Sequence, residues 1–303
     1  IISKPIQKVV PTSSKDRYYI LIILFISFLV LSPSIKNEFV NWDDDRNVYE
    51  NPYVSELNKN NVKAIFTHDV IGNYNPLTIL TFAIEKHFTK EFKPHVMHFN
   101  NLLLHLLCVF LVFYIFRSLG LTLLFASLGA LLFGIHPMRV ESVAWITERK
   151  DVLFASFFLS ALYLYIKNLD QQKSSRTFWI FILFVLGLFA KIQMVALPLS
   201  MLAVDYWKNR PLGWNLITEK WFYFIGALCF GLLGIYMLDK QGSLESAAVH
   251  SGILRLFIGS FSFIVYLIKW VFPYELLPLY PYPENITVWH YLSLPVALAI
   301  LYI

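Results

Sequence analysis

Residues 18–35, YYILIILFISFLVLSPSI, form the apolar run that decides the class of this chain. A helix needs about 20 residues to cross a bilayer core about 30 Å thick, and this run approaches that length. Shortly after it, Trp42-Asp43-Asp44-Asp45 places three adjacent carboxylates where a lipid-borne substrate and water could both reach them. One interpretation is a catalytic carboxylate at the membrane surface; the other is a solvated acidic start of a loop.

The composition indicates a membrane protein. Hydrophobic residues make up 57% of the 303 residues and charged residues only 15%, whereas a soluble domain carries about 25% charged residues. The net charge of +5 comes from Lys and Arg that cluster at the ends of apolar runs, so we expect a lipid bilayer as partner and no nucleic acid. Cys108 and Cys229 both lie inside apolar runs and are expected as small core residues without a disulfide.

Continuous apolar runs recur along the chain and predict an all-α, polytopic helical membrane protein. We count about nine, at 18–35, 96–116, 121–135, 152–166, 178–190, 195–206, 221–238, 253–272 and from 288 onward. A further apolar segment, 77–84, is too short to span and is expected as an interfacial or re-entrant helix.

The charges before the first run orient the chain. Lys4, Lys8, Lys15 and Arg17 precede it, and the positive-inside rule then places the N-terminus in the cytoplasm. The first loop, 36–94, is therefore expected outside, and a loop of this length is usually functional or disordered. We expect a multi-pass protein of the inner (cytoplasmic) membrane with its active site on the extracytoplasmic side.

Further polar groups collect on the same predicted side. They are His136, Arg139, Glu141, Glu148, Arg149, Lys150 and Asp151 in the second outer loop, and Lys191 between two later runs. Carboxylates can accept a proton and cations can hold a phosphate, so this mixture suits a reaction on an anionic lipid-linked substrate. Alternatively, Glu141 forms a salt bridge with Arg139 or Arg149, and Lys191 extends its ammonium to the interface for structural reasons.

His98, Asn101 and His105 recur at i, i+3 and i+7, which places them on one helix face. They are expected either to line a polar cavity or to join helices by hydrogen bonds. The spacing does not fit an i, i+4 zinc pair, so we predict no metal ligands here.

Several motifs together resemble those of transmembrane O-mannosyltransferases that carry C-terminal tetratricopeptide repeats, including bacterial members. The matching stretches are FVNWDD at 39–44 with Asn51-Pro52, Pro76-Leu77-Thr78, HFNNLLLH at 98–105, HPMRVESVAWI at 136–146 and Arg149-Lys150-Asp151. The resemblance implies a GT-C-like bundle with a long first extracytoplasmic loop, and a polyprenyl-phosphate-linked sugar as donor.

The resemblance also implies roles for the acidic run. In related enzymes the first residue of a paired-acid motif is the base, which corresponds here to Asp43, with Asp44 as its partner. Two positions depart from the family pattern: Asn75 replaces an Arg that often precedes Pro-Leu-Thr, and Ile192-Gln193 stands where an acid is expected. The range 1–303 is expected to be one transmembrane domain of a longer protein whose repeats lie outside this fragment.

The leading hypothesis is a membrane glycosyltransferase that moves a sugar, expected to be mannose, to a protein Ser or Thr hydroxyl. Asp43 and Asp44 are the predicted catalytic residues, and the predicted substrate-binding residues are His98, Asn101, His105, His136, Arg139, Glu141, Arg149, Lys150 and Lys191. No cofactor is required, although an acid pair with phosphate could hold a divalent cation. The alternatives are a transporter or flippase of lipid-linked sugar, and a non-catalytic membrane scaffold with other membrane proteins as partners.

Overall fold

The computed structural model describes residues 13–211, 213–240, 242, 251–277, 279–281, 283 and 285–302. Within these ranges the regular structure is helical, apart from an isolated bridge between Val70 and Asn73. The all-α prediction is thus confirmed. Lys4 and Lys8, on which the predicted orientation partly depends, lie outside the described residues.

The helices of the described residues range from 5 to 25 residues, and most of the longer ones follow the apolar runs. They are α1 (Ser14–Leu31), α2 (Lys59–Thr67), α3 (Pro76–Thr89), α4 (Pro94–Ser118), α5 (Leu123–Ile135), α6 (Val140–Ala144), α7 (Arg149–Asp170), α8 (Ser174–Ala190), α9 (Leu197–Trp207), α10 (Trp214–Thr218), α11 (Trp221–Lys240), α12 (Gly252–Val271) and α13 (Val288–Tyr302). Short 3₁₀ segments follow α1 and α5 and precede α9, and a π-helical turn, Asp45–Tyr49, lies in the first loop.

Among the described residues, fewer helices can span a membrane than the nine runs predict. Five of them are long and apolar enough, and a sixth candidate combines α5 with the segment Pro137–Ala144, which bends by 55°. Helices α8 and α13 and the segment Ile192–Trp207 are apolar but shorter. The break before α9 has a local cause: Lys191 is extended and Pro198 occupies the first turn of α9, where its missing N–H costs no helical hydrogen bond.

The chain divides into two compact units, Ile1–Met237 and Leu238–Ile303. In the first unit α4 packs against α5 and α7, α7 packs against α8, and α1 packs against α5. Gly134 of α5 approaches Ser27 of α1 so closely that a Cβ would collide with the Ser27 hydroxyl. Small residues at such crossings let membrane helices approach each other.

The first loop is folded rather than extended. Its π-helical turn, α2 and α3 share an apolar core whose members are Val48, Val54, Ile65, Ile79, Phe82, Ala83, Met97 and Ile146. The last two belong to α4 and to the turn before α7. The segment predicted at 77–84 becomes the longer helix α3, and Thr78 of α3 donates to the Ala190 carbonyl at the end of α8 (3.1 Å).

Within the second unit, α12 packs against α13. Ser293 donates a 3.4 Å hydrogen bond to the Phe257 carbonyl, and the rings of Phe261 and His290 lie 4.3 Å apart. All residues discussed below for function belong to the first unit.

Candidate functional site

Asp44 joins the first loop to the turn that precedes α7. Its Oδ1 accepts hydrogen bonds from Thr147 N (3.0 Å) and Thr147 Oγ1 (2.6 Å), and its Oδ2 accepts one from Val40 N (3.0 Å). Only 1% of Asp44 is exposed. A buried carboxylate with these three donors is held in one orientation, so Asp44 is available to organise the loop rather than to contact a substrate.

Asp43 is in the opposite situation. It is partly exposed, and within the described part of the chain no hydrogen bond or ion pair is recorded for its carboxylate, although its backbone carbonyl accepts from Asn47 N and Nδ2. Asp45 Oδ1 accepts from Arg46 N (2.8 Å). The three adjacent acids therefore occupy three environments, and Asp43 is the one whose carboxylate is both accessible and uncommitted.

A mixed-charge cluster follows directly after Thr147. Lys150 Nζ lies 2.7 Å from Glu148 Oε1, and Lys191 Nζ lies 3.9 Å from Glu148 Oε2 and pairs with Asp151 Oδ1. The side chains of Lys150 and Lys191 remain 16% and 18% exposed. The sequence is compatible with a purely structural role for Lys191 at the interface. Its pairing with Asp151 places its ammonium within this cluster.

Burial shapes the titration of the cluster. Desolvation raises the pKa of Glu148 above the usual 4.5, Lys150 and Lys191 oppose that rise, and Asp151 adds to it. A carboxyl with a raised pKa takes up a proton more readily on acidification. Protonation of Glu148 would remove a negative charge that competes for both lysines.

Arg149 was predicted to bind substrate, but its guanidinium lies in a buried junction of α3, α4 and α7. Nε donates to Asn101 Oδ1 (2.8 Å), one terminal nitrogen lies 2.5 Å from Glu85 Oε1, and the other donates to the Met97 carbonyl (2.9 Å). The ring of Phe82 lies 4.5 Å from the guanidinium carbon. With 1% of the residue exposed, this geometry holds helices together, and a direct substrate contact by Arg149 stays an untested prediction.

The predicted stripe on α4 is buried along its length. Asn101 donates to the carbonyls of Trp145 (3.2 Å) and Ile146 (3.4 Å), and His105 Nε2 lies 2.9 Å from the Gly134 carbonyl. The His105 contact matches the expectation of a hydrogen bond between helices, and the two Asn101 contacts join α4 to the turn before α7. His98 is 1% exposed, and its ring lies near the backbone of Asn37 and Glu38 at the start of the first loop.

The remaining predicted residues lie around the bend between α5 and α6. His136 is buried and its Nδ1 accepts from Met138 N (3.2 Å). Arg139 and Glu141 are exposed, with the Arg139 guanidinium carbon 5.0 Å from the Phe133 ring centroid. The alternative of a Glu141–Arg149 salt bridge is wrong, because Arg149 pairs with Glu85 instead.

The opposite end of the bundle holds a second polar network, centred on Asp205 of α9. Its Oδ1 accepts from Tyr165 OH (2.7 Å) and Arg210 (2.9 Å), and its Oδ2 lies 2.7 Å from Lys220 Nζ. Asp205 is fully buried and 1% of Lys220 is exposed. Lys208 Nζ donates to the Ser118 carbonyl (2.8 Å), which ties α4 to the same end.

Across the described ranges, no three His, Cys, Asp or Glu side chains converge as a metal site. The two cysteines of these ranges are free, with Cys108 buried and Cys229 exposed. A divalent cation at the acidic run stays a prediction, and the contacts of Asp44 with Thr147 and Val40 occupy one of the two acids that would hold it.

Sequence reasoning missed Thr147 and Glu85. Thr147 stands between apolar Ile146 and charged Glu148, and nothing in its spacing indicates a partner 103 residues earlier. Glu85 carried a usable signal, because it is an acid directly after an apolar segment, and acids at membrane depth usually pair.

Comparison with known proteins confirms the sequence resemblance. Protein O-mannosyl-transferase TMTC1 of Homo sapiens is 34% identical over 163 residues, which cover 48% of this chain and 17% of that protein. Protein O-mannosyl-transferase TMTC4 of Homo sapiens is 26% identical over 220 residues, covering 63% of this chain and 29% of that protein. Protein O-mannosyl-transferase F38B6.6 of Caenorhabditis elegans is 25% identical over 214 residues, covering 65% and 29%.

The chain is thus similar to proteins named TMTC O-mannosyl-transferases, and its matches span less than a third of the length of these three proteins. No protein-family model matches the chain, and no solved structure matches it. The GT-C-like arrangement of the bundle therefore stays a prediction.

Proposed function

We propose that this chain carries the sugar-transfer site of a membrane protein O-mannosyltransferase. The donor is a polyprenyl-phosphate-linked sugar, expected to be mannose, and the acceptor is a Ser or Thr hydroxyl of a protein. The site faces the extracytoplasmic side of the inner membrane, with the N-terminus in the cytoplasm. The names of the relatives support the reaction and the sugar.

The observation that carries this proposal is the contact between Asp44 and Thr147. It brings the first loop against the residue that directly precedes Glu148. Because neighbouring Cα atoms are 3.8 Å apart, Asp43 lies close to the start of the mixed-charge cluster. An accessible carboxylate and two partly exposed ammonium groups thus share one end of the bundle.

This arrangement suits transfer with inversion. Asp43 accepts the proton of the acceptor hydroxyl while the hydroxyl oxygen forms a bond to the anomeric carbon of the sugar. The bond between that carbon and the phosphate oxygen breaks, and the electron pair leaves with the polyprenyl phosphate. Atoms and charge balance without a further reactant: the products are the glycosylated protein, a protonated Asp43 and the phosphate anion.

Lys150 and Lys191 are the cations that best fit the leaving phosphate, since both keep some exposure and ammonium groups stabilise developing negative charge. Arg139 is a second, more exposed candidate. Behind the site, Asn101 holds the turn before α7 and His105 contacts α5, while His98 and His136 are buried. Glu141, which is exposed, remains a candidate for contact with the acceptor.

The test is sugar transfer by purified, detergent-solubilised full-length protein, supplied with polyprenyl-phosphate-mannose and a Ser/Thr-rich peptide. We expect Asp43→Asn to lower transfer by about 10²–10⁴-fold, the usual contribution of a general base. Asp45→Asn is the matched control, because it removes the same charge from a neighbouring acid that bonds only the local backbone. It should retain most of the activity.

The outcomes separate the alternatives. Equal transfer by wild type and Asp43→Asn would keep the reaction but reject Asp43 as the base. Donor binding without transfer by the wild type would contradict the mannosyltransferase proposal and favour transport of lipid-linked sugar. A protein that neither binds the donor nor transfers sugar would favour a scaffold.

A further inference from the structure

We infer that Thr147 is a positioning residue of the site: its hydroxyl and peptide N–H clamp Asp44 and thereby fix Asp43 relative to Lys150 and Lys191. This inference rests on the proposed function for the identity of the reaction. It assigns a role to a residue that neither the motifs nor the charges of the chain point to.

The clamp joins two segments far apart in sequence. Asp44 Oδ1 receives both Thr147 donors, at 3.0 Å from N and 2.6 Å from Oγ1, and Thr147 is 2% exposed. Hydrogen bonds to a charged acceptor are stronger than neutral ones, especially away from water. The 2.6 Å contact is therefore suited to set the register between the first loop and the turn before α7.

The turn itself is held from behind. Asn101 donates to the carbonyls of Trp145 and Ile146, and Arg149 donates to the same Asn101 side chain. Trp145 and Ile146, which precede Thr147, are thus fixed to α4. Arg149, two residues after Thr147, is fixed to the same helix through Asn101. A turn held in this way also fixes the position of Asp44, which accepts the hydrogen bond of the Thr147 hydroxyl.

The residues that would react flank this contact on both sides. Asp43 directly precedes Asp44, whereas Glu148 and Lys150, which pair with each other, directly follow the turn. The indole rings of Trp42 and Trp145 also meet, with centroids 5.9 Å apart. The clamp therefore sets the distance between the proposed base and the proposed phosphate ligands, a distance on which transfer depends steeply.

The experiment compares Thr147→Val, which removes the hydroxyl at nearly constant volume, with Thr147→Ser, which keeps it. Transfer is measured in the full-length protein as kcat per folded molecule and as KM for polyprenyl-phosphate-mannose. We expect Thr147→Val to lower kcat about 10- to 100-fold with little change in the donor KM. Thr147→Ser should recover most of that loss.

Two further arms distinguish positioning from general damage. Ser156→Ala removes another buried hydroxyl of this unit, one that bonds only within α7, and should leave kcat per folded molecule unchanged. A double-mutant cycle of Thr147→Val with Asp44→Ala should be strongly non-additive, because each variant removes the hydrogen bond from Thr147 Oγ1 to Asp44 Oδ1,.

Hydrogen exchange of residues 37–50 gives a readout that needs no activity, since the clamp also orders the Val40 N–H bonded to Asp44. Faster exchange in Thr147→Val together with the fall in kcat supports the inference. Wild-type kcat in Thr147→Val, or unchanged exchange, overturns it. If the wild type transfers no sugar, the proposed function fails by itself, and unchanged exchange in Thr147→Val would still overturn the clamp.

Discussion

The two ends of the helix bundle in the first unit both concentrate charge, but they use it differently. At one end Asp205 is fully buried and contacts Tyr165, Arg210 and Lys220. At the other end Asp44 is equally committed, yet its neighbour Asp43 is partly exposed and uncommitted. Burial with complete pairing indicates a structural lock, whereas one free acid beside a fixed one indicates a reactive site.

The cations differ in the same way. Only 1% of the Lys220 side chain is exposed, so it cannot reach a lipid phosphate. Lys150 and Lys191 keep 16% and 18% of their side chains exposed and are paired with acids that compete for them. Because these ion pairs are partly exposed, a stronger anionic partner can replace the acids beside each ammonium group.

Asp205→Asn should have the largest effect, and it acts on the stability of the buried network. It leaves Lys220 buried with a weaker partner, and removing one member of a buried pair costs about 3–5 kcal/mol of stability. Thermal unfolding in detergent should show a large fall in Tm for Asp205→Asn. Glu219→Gln removes a partner of Arg210 that is 44% exposed and should change stability by less than about 1 kcal/mol. Similar Tm values for the two variants would contradict the assignment of a lock.

Lys191→Gln tests the partly exposed cluster at the other end of the bundle. Loss of a charge-assisted contact to the donor phosphate should raise the donor KM about tenfold, equivalent to about 1.4 kcal/mol. Kinetics at several donor concentrations measure this effect. Lys173→Gln removes an exposed lysine that precedes α8 at the opposite end of that helix and should leave KM unchanged; equal effects of both variants would argue against a phosphate contact by Lys191.

The smallest expected effect concerns pH. Because burial raises the pKa of Glu148, acidification toward that pKa should neutralise Glu148 and free Lys150, its 2.7 Å partner, so donor binding should strengthen. The donor phosphate is a diester and keeps its charge over this range. Glu148→Gln should bind the donor with weaker pH dependence, and an unchanged pH profile in this variant would exclude Glu148 as its source.

The same shift has a defined sign for stability. A folded state that binds the Glu148 proton more tightly than the unfolded state loses stability as pH rises from 4.5 to the raised pKa,. Glu148→Gln should remove this part of the pH dependence of Tm.

Periodicity and charge were sufficient for much of the fold. The run 96–116 became α4 and the run 221–238 became α11, each within a few residues, because an apolar helix at membrane length has few alternatives. The grouping of the acidic run with residues 148–151 and Lys191 also followed from loop order. The number of spans did not follow, because α8, α13 and the segment Ile192–Trp207 are apolar but shorter than the five candidate spans of the described residues.

Partner choice could not be predicted from the sequence. Arg149 is a predicted substrate ligand because it is a cation of the second outer loop, yet its guanidinium turns inward to Glu85 and Asn101. Successive residues at the start of a helix point in directions about 100° apart, so adjacent cations can serve a core and a site. Similarly, Asp44 and Asp43 differ only in which of them meets Thr147, a contact set by packing between loops.

The 103 residues between Asp44 and Thr147 also have a consequence for biosynthesis. At a synthesis rate of about 5–20 residues per second, the acidic run is made roughly 5–20 s before the residue that clamps it. The apolar core of the first loop must wait equally long for Ile146. The first loop therefore completes its folding only after α4, α5 and α6 have been translated, so the site matures late in synthesis.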